Sequence, residues 1–185
     1  MGLFDSLFSR KKDPAPDYLP PGINIPDPHR KEAEELAVKA FTLMQQGMMS
    51  GSKDLMKEAL ANANKALELD PDCYNALQCK VATVSMFPKD DKSNLLEALA
   101  CTERALAQKK DNASMWYNRA GILEQLGRYP EALEAYDKSR SCDTDGIAGP
   151  LVARARVLEK MDRDSEALRI YNSISPADPS YVDAV

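Results

Sequence analysis

Apolar and polar positions alternate along most of this chain with a period near 3.6 residues, the spacing that gives one face of an α-helix. From about His29 to the end, the apolar sets break into eight stretches. They predict four antiparallel helix pairs: 29–47 with 52–69, 73–87 with 92–108, 112–127 with 130–141, and 148–161 with 164–174. Turn residues separate them. Gly47 and the Gly51 region supply the first turn, Pro88 and the polar Lys-Asp-Asp-Lys-Ser run the second, and Gly127 followed by Pro130 the third. Asp70-Pro71 and Asp178-Pro179 close the first and last pairs, because proline opposes continuation of a helix.

The pairs repeat one phrase. Ala59, Ala98, Ala132 and Ala167 stand 39, 34 and 35 residues apart, each in the second helix of its pair. Self-similarity at this period signals stacked helix pairs, none of which can bury its apolar face alone. Ala120 and Ala132 are small where two helices cross, and a bulky residue there would overpack at a cost of about 1–3 kcal/mol. Trp116, Leu123, Leu133 and Tyr136 are expected to fill the space between pairs.

The first 28 residues break the pattern. Pro14, Pro16, Pro20, Pro21, Pro26 and Pro28 predict a largely extended or disordered tail. Within it, Leu3, Phe4, Leu7 and Phe8 recur on one helical face, and Arg10, Lys11 and Lys12 follow. At the other end, residues 180–185 read as the start of a further helix or a short tail. Either the apolar end of the last pair meets a second copy, or the next helix is cut short.

The repeated residues resemble the tetratricopeptide repeat family. Its pattern sets Trp, Leu-Gly and Tyr on the first helix of each pair, and Ala, Phe and Pro on and after the second. The third pair has Trp116, Arg119-Ala120, Leu123, Ala132, Tyr136 and Thr144 in those places. The fourth has Leu151, Arg154-Ala155, Leu158, Ala167, Tyr171 and Pro179. The second has Leu77, Lys80-Val81, Val84, Ala98, Thr102 and Lys110, and the first is loosest, with Ala59, Ala63, Ala66 and Pro71. Arg119, Arg154 and Lys80 depart from the family by standing where it has leucine, so only their aliphatic stems are expected to pack. The resemblance implies an all-α fold, a right-handed solenoid of about four pairs over residues 29–179.

It also implies a concave groove, lined by the first helices, that receives a peptide or protein partner. The groove candidates are Asn75, Gln78 and Ala82 from the second pair, then Tyr117, Asn118, Gly121 and Gln125, then Val152, Arg156 and Lys160. Their amide, aromatic and basic groups suit hydrogen bonding to a peptide backbone; plain solvated helix surface is the alternative for each. Chaperone-tail binding is not implied. Around the matching Asn118, the lysine and asparagine slots that help grip a terminal carboxylate in that subfamily hold Gln78 and Ala82, and the basic slots after it hold Gly149 and Ala153. In a frame one pair earlier, Cys79 stands in the asparagine slot and Ser114 and Asn118 in the basic ones.

Composition narrows the picture further. Aromatics are only 6% while Ala and Leu dominate the apolar set, which favours helices over sheet. A net charge of −5 without a basic stripe argues against nucleic acid. Cys73, Cys79, Cys101 and Cys142 form no C-x-x-C, and His29 stands alone, so metal and cofactor are not expected. Buried free thiols and a cytoplasmic setting are the expectation. No phosphate-loop, dinucleotide, nucleophile-elbow or zinc-protease motif is present, so a non-catalytic adaptor or scaffold is expected. Met44, Met48, Met49 and Met56 read as core and turn packing, with an adaptable binding surface as the alternative. Two other roles stay open. Met1 to Ser6 fits M-G-x-x-x-[ST], so the amphipathic start could tether the chain to a membrane surface. The uncapped C-terminal end could make it a homo-oligomer.

Overall fold

The computed structural model describes residues 27–86, 92–143 and 149–174. The proline-rich tail, the Pro88 turn and the C-terminal residues from 175 onward lie outside them. The described residues form eight helices: α1 (Pro28–Ser50), α2 (Lys53–Leu69), α3 (Tyr74–Met86), α4 (Lys92–Gln108), α5 (Ala113–Gln125), α6 (Tyr129–Cys142), α7 (Gly149–Glu159) and α8 (Asp164–Ser173). They pair as the periodicity predicts, α1 on α2, α3 on α4, α5 on α6 and α7 on α8, and each pair stacks on the next. The result is an all-α solenoid.

Local signals set the ends. Asp27, Ser52 and Asn112 cap α1, α2 and α5, each accepting a bond from a backbone N–H of the first turn. Pro28 and Pro130 sit in first turns, where a missing N–H costs nothing. After α5, Gly127 adopts φ +73°, Arg128 N–H donates to the Leu123 carbonyl and Gly127 N–H to Glu124. The same two bonds recur after α7, from Arg163 to Leu158 and from Asp162 to Glu159, with Asp162 at φ 57° in place of the glycine. A bidentate pair follows each turn, Arg128 with Glu131 and Arg163 with Glu166. The third and fourth pairs are thus built on one turn, copied 35 residues on.

The first turn differs from expectation. α1 runs through Gly47 to Ser50, and Gly51 alone, at φ 66°, makes the break. Gly47 is buried inside α1, where a β-carbon would stand 2.7 Å from the Met56 sulfur. Its role is close approach of α1 and α2. Met44 and Met56 are buried beside it, whereas Met48 and Met49 are exposed.

The repeating alanines occupy the crossings. Ala59, Ala98, Ala120, Ala132, Ala155 and Ala167 are all buried to within 1%. Around them Leu77, Val81, Leu99, Leu106, Met115, Ile122, Leu123, Leu133, Tyr136 and Leu158 form one cluster that runs from the second pair to the fourth. Trp116 packs on its rim half-buried and donates its indole N–H to the Lys110 carbonyl. Smaller clusters join the first pair to the start of the second, built from alanines with Met44, Met56, Cys73 and Cys79. Lys80, Arg119 and Arg154 do more than pack their stems. Lys80 bonds Glu97 at 2.9 Å, Arg119 reaches Thr102 and Glu103, and Arg154 Nε lies 2.8 Å from Asp137 in a bent ion pair. For Arg119 and Arg154 the acid is on the second helix of the preceding pair, so these cations bind one pair to the next.

Candidate peptide-binding groove

First helices touch along the first three pairs: α1 meets α3, and α3 meets α5. Among the described residues no comparable contact joins α2 to α4 or α4 to α6. The first helices therefore lie on the inside of the stack's curve, and their outward edges form its inner face.

Most of the sequence-predicted groove residues come together there, already wired across the face. Asn75 donates to Glu34 of α1 at 2.9 Å. Asn118 accepts from the Ser85 hydroxyl at 3.1 Å, and Gln125 donates to the Ser85 carbonyl at 3.0 Å, which ties α5 to α3. Lys160, just past the end of α7, donates to Glu124 of α5 at 2.6 Å. The second Glu124 oxygen accepts from the Tyr136 hydroxyl at 3.1 Å. Tyr117 packs edge-on against the Tyr136 ring, centroids 5.5 Å apart. Gln78 is half-exposed on the same edge of α3, and Arg156 is exposed on α7.

Electrostatics follow from these contacts. Burial first, then the Glu124 charge, pushes the Tyr136 hydroxyl well above the usual phenol range. The bond to Glu124 raises the Lys160 ammonium, so both remain protonated and paired at neutral pH. Burial also raises the thiols of Cys73 and Cys101, and takes Cys79 up to about 11, which keeps them unreactive. Cys142 is half-buried.

Three candidates stand apart. Gly121 has nothing within 4 Å of where its β-carbon would be, so the floor of the face is open between Tyr117 and Gln125. Ala82 is half-buried against the Ala40–Met44–Met56 cluster and offers little surface. Val152 is covered: Ile174 folds back from the end of α8 and packs on it, leaving it 3% exposed. It is not part of the open face.

The sequence reading missed Ser85 and Glu124, which mediate the cross-ties, and the whole contribution of α1. Glu34, Val38, Phe41, Gln45 and Met48 follow one another at helical steps along one edge of α1, the edge that Glu34 turns toward α3. Val38, Phe41 and Met48 are 61%, 49% and 50% exposed there. Only the register of α1, ambiguous in the sequence, could have shown them. Among the described residues no three His, Cys, Asp or Glu side chains are grouped to hold a metal ion, and no helix is long and apolar enough to cross a membrane.

A family profile described as "Tetratricopeptide repeat" matches residues 90–146, which span α4 to α6 and the turn between the second and third pairs. This stretch is tetratricopeptide repeat sequence, and the described residues have that type of fold. Over 134 residues it is 30% identical to the DnaJ homolog subfamily C member 7 homolog of Schizosaccharomyces pombe, covering 66% of this chain. It spans only 28% of that relative's length. Among solved structures it is similar to MamA, residues 41 to the end, from Desulfovibrio magneticus RS-1, at TM-score 0.65 and 17% identity over 77% of this chain and 73% of that one. It is also similar to TTC0263, a tetratricopeptide repeat protein of Thermus thermophilus, at TM-score 0.62 and 19% identity over 83% and 78%. At these identities the likeness speaks for the fold.

Proposed function

We propose that the protein is a non-catalytic adaptor whose inner face, from α3 to α7, holds a peptide or protein partner. Repeat sequence and a fold of a type built for protein–protein contact support the general role. The observation that carries the finer reading is the open floor at Gly121. It lies between Tyr117 and Gln125, beside a relay of hydrogen-bonding side chains already fixed by their neighbours. Side chains held in place lose little freedom when a ligand arrives, so less of the binding energy goes into ordering them. Amide and hydroxyl groups spaced along neighbouring first helices can pair with an extended backbone, while Tyr117 offers an amphipathic ring. Three thiols buried in the core suit a reducing, cytoplasmic setting.

The test places bulk on that floor. Gly121→Phe fills the groove without touching the core, and Tyr117→Ala removes its aromatic wall. Partners captured by the wild-type chain from its native cell extract are expected to be lost from both variants, with helical content and melting temperature retained. Full retention of every partner by stable Gly121→Phe protein would move binding to another surface.

A further inference from the structure

The edge of α1 left exposed is the least satisfied surface of the described residues. Val38, Phe41, Met48 and Met49 (the last 90% exposed) leave four large apolar side chains in water within three turns. The Glu34–Asn75 bond turns this edge toward the inner face, beside α3. An apolar strip on one side of a helix is the complement of an amphipathic helix laid alongside it. The chain itself carries such a segment: Leu3, Phe4, Leu7 and Phe8 share one helical face, in steps that cover a little over one turn.

We infer that residues 1–12 dock on this α1 edge, with Leu3, Phe4, Leu7 and Phe8 against Val38, Phe41, Met48 and Met49. Three features commit the site to this occupant. The first is reach. Residues 13–27 link the segment to α1. At about 3.1 Å per residue a proline-rich linker of that length extends to roughly 46 Å. Met49 is roughly 32 Å along α1 from its start, at 1.5 Å per residue. The second is concentration. A short tether holds its segment at an effective concentration on the order of millimolar, so even a dissociation constant of about 0.1 mM would leave the docked form about tenfold in excess. The third is charge. Glu34 begins this edge of α1, where the linker arrives, with Glu35 beside it 3.8 Å from Lys31, and Arg10, Lys11 and Lys12 end the segment. Opposite charges meet only if the segment runs antiparallel to α1, with Leu3 and Phe4 toward Met48 and Met49 and the basic triplet toward the glutamates. Such docking covers the first-pair end of the inner face and does not depend on whether any partner binds the rest.

Paramagnetic relaxation on the full chain tests both site and direction. Cys142→Ser leaves the buried thiols, and a nitroxide is placed on Gly2→Cys or Ser9→Cys while the methyl signals of methionine and valine are observed. The Gly2→Cys label is expected to broaden Met48 and Met49, and the Ser9→Cys label to broaden Val38. Both effects should persist on dilution and vanish with Phe41→Glu plus Met48→Glu, two surface changes that spare the core. Absence of broadening overturns the proposal, as does broadening that survives the double substitution. Broadening seen only between spin-labelled and isotope-labelled copies would assign the strip to a second molecule, and so overturn docking within one chain. A chain that shows no broadening yet floats with anionic vesicles through residues 1–12 would assign the segment to a membrane, with the same consequence.

Discussion

The two ends of the inner face are made from the same helix edge and differ in what stands on it. At the first pair the edge is apolar and bare: Val38, Phe41 and Met48 face solvent, and the edge is tied to the next first helix by the exposed Asn75–Glu34 bond. At the third and fourth pairs the edge is polar and bonded. Tyr136, Glu124 and Lys160 form a relay anchored in the core, and Ser85, Asn118 and Gln125 extend it back to α3. A hydrogen bond between water-exposed groups replaces bonds to water and gains little. One that begins at a buried hydroxyl leaves an unsatisfied group when it is broken. The first end is therefore shaped to take up apolar surface, and the second to hold its own geometry.

The largest expected effect breaks the bonded end. Glu124→Ala strands the buried Tyr136 hydroxyl and should cost about 1–3 kcal/mol, read as a fall in melting temperature of about 2–4 °C per kcal/mol. Its counterpart at the bare end, Glu34→Ala, should stay within about 0.5 kcal/mol. Equal losses from the two substitutions would erase the contrast. Tyr136→Phe removes the hydroxyl with its need for a partner and should rescue most of the Glu124→Ala loss in the double variant.

Alkaline pH separates the ends by titration. Tyr136 and Lys160 have folded values raised above their unfolded ones, so their contributions are complete below about pH 10 and fade as pH rises through the folded values. Cys79, raised from 9.0 to about 11, acts near the first pair: its contribution is complete below pH 9 and is lost by about pH 11. Urea unfolding followed between pH 8 and 11 should show midpoints falling with pH, and Cys79→Ala should flatten the lower part of that fall. An unchanged slope in this variant would remove the thiol from the account.

A smaller effect tests how alike the third and fourth pairs are. Asp162→Gly places in the second turn the residue that the first already has at the same left-handed backbone angle, and should stabilise by about 0.5–1 kcal/mol. A lowered urea midpoint would show that the aspartate side chain does something the turn alone does not require. Smallest of all is Phe41→Ser at the bare end. In a chain lacking residues 1–12 it should shift the midpoint by no more than about 0.5 kcal/mol, since nothing then covers the ring.

Helix pairing was legible in the sequence because it rests on local facts. The alanines at the crossings, the Gly127 cap and the proline in the first turn of α6 each constrain their own neighbourhood, and all stand where the pattern placed them. Asp162 was not legible as a turn residue, because aspartate enters the left-handed region only where the surrounding turn holds it there. The register of α1 failed for a related reason. Its buried face is Ala33, Ala37, Ala40, Met44 and Gly47, too small and uniform to stand out from the exposed edge that carries Val38 and Phe41. Several groove residues could be nominated from their slots. Their bonds could not, since Ser85 lies 33 residues from Asn118 and Lys160 lies 36 from Glu124.

The amino-acid order by itself determined that this protein is a row of helix pairs and where each pair begins and ends, because capping, turn geometry and helical periodicity act within a few residues. Only the tertiary structure decided which edge of each helix faces the inside of the curve, that Val152 is covered by Ile174, and that Lys80, Arg119 and Arg154 find acids on other helices. Those outcomes depend on the rotation and spacing of one pair against the next. That relation is set by the summed packing of side chains more than a dozen residues apart, and no local signal encodes it.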